Sequence, residues 1–240
     1  MLVRVVDMRS LYKRSWAMQV GRSRERAIGL SRSNSPMALT LYHVPGARSL
    51  RVIWLCLELD LPLTIETIDF SPKFRDSEGW RALSPTGKVP VLRDDGFTMF
   101  ESGAMLQYLL DAYGAGQLQP AAGTQAAAMF QQWSWFAEAT FARPLGDIAQ
   151  HTVVRPEAQR IPAVVDDARQ RASICLQALE VGMGAGPYLL GNAFTAADVN
   201  MGYSLVLAER FGLIEPGLSR VVSYFDGLKT RPHFLKALSL

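Results

Sequence analysis

Apolar positions recur along this chain with two different periods, and the change from one to the other divides it. Ala38 to Tyr42 is a short apolar run followed by Pro45-Gly46, which predicts a first strand and a turn. From Ser49 to Leu59 the residues Leu50, Ile53, Trp54 and Leu57 fall at helical spacing, with Arg51 and Glu58 on other faces and Ser49 placed as the cap. Leu63 to Phe70 predicts a second strand with Ile65 and Ile68 as its apolar positions. A short helical piece follows around Arg75 to Ala82, then a loop at Ser84-Pro85-Thr86-Gly87. Val89 to Leu92 and Phe97 to Phe100 read as third and fourth strands around the turn Asp94-Asp95-Gly96. Asp95-Gly96 is a hairpin signal, so the sheet is expected to be mixed. Glu101-Ser102 then opens a helix whose apolar residues are Met105, Leu106, Leu109 and Leu110.

Beyond a linker at Gly114 to Gly123 the period is helical throughout. Helices are expected over 124–142, 157–181, 195–211 and 216–229, with a short turn after Pro232. Thr195-Ala196-Ala197-Asp198 spells a capping box, with Phe194 and Val199 placed as a hydrophobic staple, so Asp198 is a folding device. The pattern is an α/β domain followed by an all-α domain.

Composition narrows the class. Of 240 residues, 49% are apolar and 20% charged, which suits a globular chain and excludes a disordered or fibrous one. No run of about 18 uncharged apolar residues is present, so no membrane-spanning helix is expected. The net charge of +3 is misleading. Residues 1–36 carry eight basic and two acidic side chains, leaving 17 basic and 20 acidic beyond them. The folded part is therefore mildly acidic, and nothing in it favours nucleic acid. The leader 1–36 reads as a basic, unstructured extension or as an over-extended start, with Met37 as the first residue. Cys56 and Cys175 are too far apart for a CxxC site and are expected as buried free thiols. His43, His151 and His233 are scattered, so no metal site is expected, and no glycine-rich phosphate loop follows a strand.

Two features carry possible chemistry. Pro90 cannot donate to a sheet ladder, so Val89-Pro90 suggests a bend that leaves the Val89 backbone to pair with a peptide-like ligand. Glu101-Ser102 stands at a helix N-terminus, where a hydroxyl and exposed N–H groups hold a carboxylate and Glu101 accepts from an ammonium. Together they would grip the α-amino acid end and the backbone of a small peptide.

The ordered set Leu41-Tyr42-His43-Val44-Pro45, Arg51-Val52-Ile53-Trp54, Ser84-Pro85-Thr86-Gly87-Lys88-Val89-Pro90-Val91-Leu92, Glu101-Ser102-Gly103-Ala104 and Leu190-Gly191-Asn192-Ala193-Phe194-Thr195-Ala196-Ala197-Asp198 resembles the soluble glutathione transferase family over about 37–238. The resemblance implies a thioredoxin-like N-terminal domain over 37–114, an all-helical C-terminal domain over 124–240, a cytoplasmic homodimer and a role in detoxification. It implies glutathione as co-substrate without a metal, held by the Val89 backbone beside a cis Pro90. Glu101 and Ser102 would take the γ-glutamyl end, and Lys88 the glycyl carboxylate.

The pattern departs from the family where the thiol should be activated. Pro45-Gly46-Ala47-Arg48-Ser49-Leu50 is similar to the bacterial beta class, with Arg48 in place of its Cys and His43 in place of its Tyr. The candidates left are Ser49, Arg48 and Tyr42. Met129 to Phe136 and Phe141 supply aromatic surface for an apolar electrophile, with Trp133, Phe136 and Phe141 as candidate pocket residues. The implied activity is conjugation of glutathione to such an electrophile. Its rivals are a glutathione-fold interaction module without chemistry and a glutathione-dependent isomerase or dehalogenase.

Overall fold

In the computed structural model, which describes residues 38–240, the elements in chain order are β1 (Leu39–His43), α1 (Ser49–Glu58), β2 (Leu63–Thr67), α2 (Pro72–Arg75), α3 (Glu78–Leu83), β3 (Val91–Asp94), β4 (Phe97–Phe100) and α4 (Ser102–Tyr113). They continue as α5 (Gln125–Trp135), a π-helical turn (Phe136–Phe141), α6 (Ala142–Ala149), a second π-helical turn (Gln150–Val154), a 3₁₀ turn (Glu157–Gln159), α7 (Pro162–Gly182), α8 (Ala196–Arg210), α9 (Ser219–Lys229) and α10 (Pro232–Leu238). The leader 1–36 and the alternative start at Met37 lie outside the described residues. The described chain divides into two compact units. The first ends its N-terminal part at Ala47 and resumes over Pro62–Glu101; the second comprises Arg48–Leu61 and Ser102–Leu240. Helix α1 thus belongs to the helical unit.

The first unit is a four-stranded sheet in the order β2-β1-β3-β4. β1 runs parallel to β2 and antiparallel to β3, and β3 is antiparallel to β4. The mixed sheet follows from the hairpin signal: Asp95 and Gly96 adopt φ 42° and 85°, the two positive angles that a tight primed turn requires. Leu39, Leu41 and His43 alternate inward along β1, and Leu92 of β3 pairs with Leu41 on that face, while the equally buried Val91 pairs with Tyr42 on the other. β3 begins at Val91, two residues later than the sequence suggests, because Pro90 has no N–H to give to the ladder. The helical piece expected around Arg75–Ala82 is two short helices. Each is started by its own serine: Ser71 Oγ accepts from Phe74 N–H and Ser77 Oγ from Trp80 N–H.

The second unit is helical. α1 buries eight of its ten residues, Ser49 to Cys56, because apolar side chains wrap every face of it. Trp54 is its anchor. It stacks within 4.5 Å of the Phe234 ring, and Gly202 of α8 lies so close that a Cβ there would stand 2.7 Å from the indole. α8 starts with the expected capping box. Asp198 accepts from the Thr195 N–H at 2.8 Å and hydroxyl at 3.0 Å, and also from Leu189 N–H and Tyr224 OH, both at 2.9 Å.

Two helices differ from expectation. The one expected over 124–142 continues to Val154, with Pro144 in the first turn of α6, directly after the π-helical turn. Pro144 has no N–H for the Thr140 carbonyl, its α-helical partner. That carbonyl instead lies 3.9 Å from Cys175 Sγ, while Ser204 Oγ reaches the Ala137 carbonyl at 3.3 Å and Asn200 Nδ2 the Ser134 carbonyl at 2.9 Å. The helix expected from 157 begins at Pro162, where a proline suits the first helical position.

Candidate functional site

In the sheet unit the loop from Ser84 to Lys88 is closed by one hydroxyl. Ser84 Oγ donates to the Lys88 carbonyl at 2.7 Å and accepts from the Lys88 N–H at 2.9 Å. Gly87 turns the loop at φ 66°, where a Cβ would stand 2.9 Å from the Arg81 guanidinium carbon. The loop delivers Val89, joined to Pro90 by a cis peptide bond. Among the described residues the Val89 N–H and C=O have no hydrogen-bond partner. Lys88 is exposed. At the other edge of the hairpin Glu101 is exposed and adopts φ 75°, a left-handed angle that a glutamate adopts at a cost.

Tyr42 belongs to the same unit. It is half-buried, and its ring stands edge-on to Trp80 at 5.7 Å. That contact assigns the ring to packing on α3.

The helical unit gathers the charged candidates. Ser102 is buried at the first position of α4. Arg48 is the N-cap of α1, so Ser49 is its first helical residue instead of the cap, and Ser49 is fully buried. Arg48 keeps 38% of its side-chain surface exposed and donates through Nη1 to Glu138 Oε1 at 2.9 Å. Arg51, one turn further on, is completely buried. Its Nη1 donates to Glu138 Oε2 and to Ser102 Oγ, the latter at 3.1 Å, and its Nη2 to Ser204 Oγ at 3.4 Å. Its Cζ lies 4.9 Å from the centre of the Tyr203 ring. Burial and then the nearby Arg48 charge push the Arg51 guanidinium down to about 9, so it stays charged at neutral pH.

Two arginines therefore stand at a helix N-terminus, already the positive end of the macrodipole, with one carboxylate between them. The arrangement leaves a local excess of positive charge that stabilises an anion. Cys56 offers no rival nucleophile, since burial pushes its thiol up to about 12.

The aromatic candidates separate by burial. Trp133 and Phe141 are core residues, and Trp133 closes over Gly182, where a Cβ would stand 2.9 Å from the indole. Phe136 is half-buried and edge-on to Trp133 at 5.5 Å. The exposed apolar side chains in this stretch are Trp135, at 65%, and Met129, at 42%.

The apolar spacing of α1 puts Arg51 off the apolar face, and no sequence motif includes Glu138. A signal for Arg51 was present. It interrupts Leu50 to Cys56, a helix apolar on all sides, and such a helix has no face left for solvent. Glu138 carried no signal, because its partners are 87 and 90 residues away.

Residues 41–119 match the family model described as the glutathione S-transferase N-terminal domain. Glutathione S-transferase 3 of Schizosaccharomyces pombe is 25% identical over 206 residues, covering 81% of this chain and 84% of the relative. The dichloromethane dehalogenase of Methylorubrum extorquens is 25% identical over 208 residues, covering 80% of this chain and 71% of the relative. Among solved structures, the theta class glutathione S-transferase of Xanthomonas axonopodis pv. citri with glutathione bound superposes with a TM-score of 0.73. It is 26% identical and covers 85% of this chain and 99% of its own.

Proposed function

We propose that this chain, similar to soluble glutathione S-transferases over most of its length, binds glutathione and transfers the thiolate to an apolar electrophile. The observation that carries the reading is the Glu101-Ser102 junction: a glutamate held at φ 75° directly before a serine whose hydroxyl accepts from a buried arginine. Backbone strain of this kind concentrates at binding sites. Glu101 accepts from the γ-glutamyl ammonium, and the Ser102 hydroxyl and N–H take its carboxylate. The unpartnered N–H and C=O of Val89 pair with the cysteinyl amide in the manner of an added strand. Lys88 serves the glycyl carboxylate as a point charge.

In the reaction the glutathione thiol loses its proton to solvent and the thiolate attacks an electrophilic carbon. A C–S bond forms while the bond to the leaving group breaks and that group departs with the electron pair. Of the three candidates for stabilising the thiolate, Arg48 fits best: it is charged, half-exposed and held at the N-terminus of α1. Ser49 is fully buried and Tyr42 is engaged with Trp80, so each has less to offer an incoming sulfur.

The energetic demand on Arg48 is modest. A free thiol with a pKa of about 8.5 is roughly 3% ionised at pH 7. Lowering it by about two units raises ionisation roughly 25-fold, but nucleophilicity falls with a Brønsted slope of about 0.4–0.5 and returns close to tenfold of that. Positioning the electrophile supplies the rest.

A second reading, glutathione-dependent dehalogenation, is favoured by the likeness to a dichloromethane dehalogenase. It uses the same attack with halide as the leaving group. The test is thiolate absorbance of bound glutathione against pH, followed by product analysis with haloalkane and nitroaryl halide probes. A bound-thiol pKa well below the free value with a thioether product supports the transferase; halide with a hydrolysed product supports the dehalogenase. Binding without a shift in pKa leaves an interaction module, and no binding removes the glutathione reading. The homodimer is checked by sedimentation of the same sample.

A further inference from the structure

The π-helical turn Phe136–Phe141 inserts one extra residue into a long helix, and such insertions gather at functional sites. Here it aims Glu138. The turn is held from behind by α8, through Ser204 on the Ala137 carbonyl and Asn200 on the Ser134 carbonyl. Gly103 makes room in front: a Cβ there would stand 3.4 Å from Glu138 Cγ. The Glu138 side chain is 15% exposed and both its oxygens are engaged, one by Arg48 and one by Arg51.

A guanidinium only donates, so in the bond from Arg51 Nη1 the Ser102 hydroxyl must accept, and its own proton is directed elsewhere. Arg51 therefore holds the hydroxyl as a donor toward an incoming anion. Arg51 is itself fully buried and has no other carboxylate partner among the described residues. Removing that partner leaves an uncompensated charge, which relaxes by moving toward water or another acceptor.

We propose that Glu138 is a positioning residue for glutathione. Set by the π-helical turn, it fixes Arg51, and Arg51 fixes the Ser102 hydroxyl as the donor to the γ-glutamyl carboxylate. This rests on the glutathione reading above. It predicts that Glu138 and Ser102 act as one unit, although Glu138 does not touch the ligand.

The test is a double-mutant cycle on the full chain, with glutathione affinity read by calorimetry and steady-state constants read with a nitroaryl halide. Glu138→Gln and Ser102→Ala should each weaken glutathione binding about tenfold, the loss typical of a hydrogen bond to a charged group. The loss should appear in the KM for glutathione, while the KM for the electrophile stays within about twofold. The double variant should be no weaker than either single one, and Glu138→Asp should recover part of the affinity. If Glu138→Gln folds poorly, Arg51→Met with Glu138→Gln removes both buried charges together and should show the same tenfold loss. Multiplying losses in the double variant, or unchanged glutathione affinity in Glu138→Gln with the wild type binding, overturns this proposal alone. A wild type that binds no glutathione overturns both it and the reading beneath it.

Discussion

Helices α1 and α8 lie in the same unit and treat their ends in opposite ways. α8 follows the helix dipole: Asp198 in its first turn, Arg210 in its last, and a capping box closed by the chain itself. α1 runs against it. Arg48 and Arg51 stand at its positive end, no acid lies in its first turn, and Glu58 stands at its negative end. Each misplaced charge is met from far along the chain. Glu138 answers the two arginines, and Arg231 answers Glu58, with Nε at 3.0 Å and Nη2 at 2.7 Å. A helix that obeys the local rules serves folding. One that breaks them, and needs tertiary partners to do so, is where a function is to be sought.

Removing the device that closes α8 should have the largest effect, and on stability alone. Asp198→Ala strands the Tyr224 hydroxyl and the Leu189 and Thr195 N–H groups, all buried. The cost is about 3–4 kcal/mol, which in a domain of this size lowers Tm by roughly 6–16 °C in a thermal melt. Glutathione affinity measured well below the melt should be unchanged. A comparable loss of affinity would erase the distinction between the two helices.

At α1 the balance should reverse. Arg48→Ala removes a half-exposed ion pair worth about 1 kcal/mol or less to stability. It should nevertheless raise the bound-thiol pKa by about one unit, a tenfold change in ionisation equilibrium. Absorbance of bound thiolate against pH reads this directly. If Ser49→Ala gives the larger shift, the hydroxyl and not the guanidinium activates the thiol.

The other end of α1 makes a pH-dependent prediction. Burial would raise the Glu58 carboxyl, but the bonds from Arg231, Trp54 and His233 and the Arg231 charge outweigh it, so it sits below its ordinary range. A depressed carboxyl contributes stability that is complete above its unfolded pKa of about 4.3 and is lost as pH falls through the lower folded value. Glu58→Gln should therefore cost more than the ~1 kcal/mol of a surface pair at pH 7, because the Glu58 carboxylate is largely buried against Arg231, and its melt should converge on the wild type in acid. A gap that widens in acid would contradict the ion pair.

The smallest effect is expected at Cys56. With its thiol at about 12 and fully buried, alkylation of the native protein should leave activity unchanged over hours, while the unfolded chain labels at once.

Local chemistry was enough for much of this protein. The hairpin at Asp95-Gly96, the cap at Thr195-Asp198, and the switch from alternating to helical spacing after Gly123 can all be read within a few residues, because turns and caps are short-range devices. The bend at Val89-Pro90 and the helix start at Ser102 are legible for the same reason. Other features needed the folded chain. Past Pro144 the helix runs on with side chains of α7 and α8 against the Thr140, Ala137 and Ser134 carbonyls, contacts that only the folded chain supplies. The burial of Arg51 and the choice of Glu138 as its counter-charge depend on residues 87 positions apart. A sequence shows which charges exist. Which of them lose their water, and which opposite charge then faces them, is decided by packing, since desolvation belongs to the assembled core.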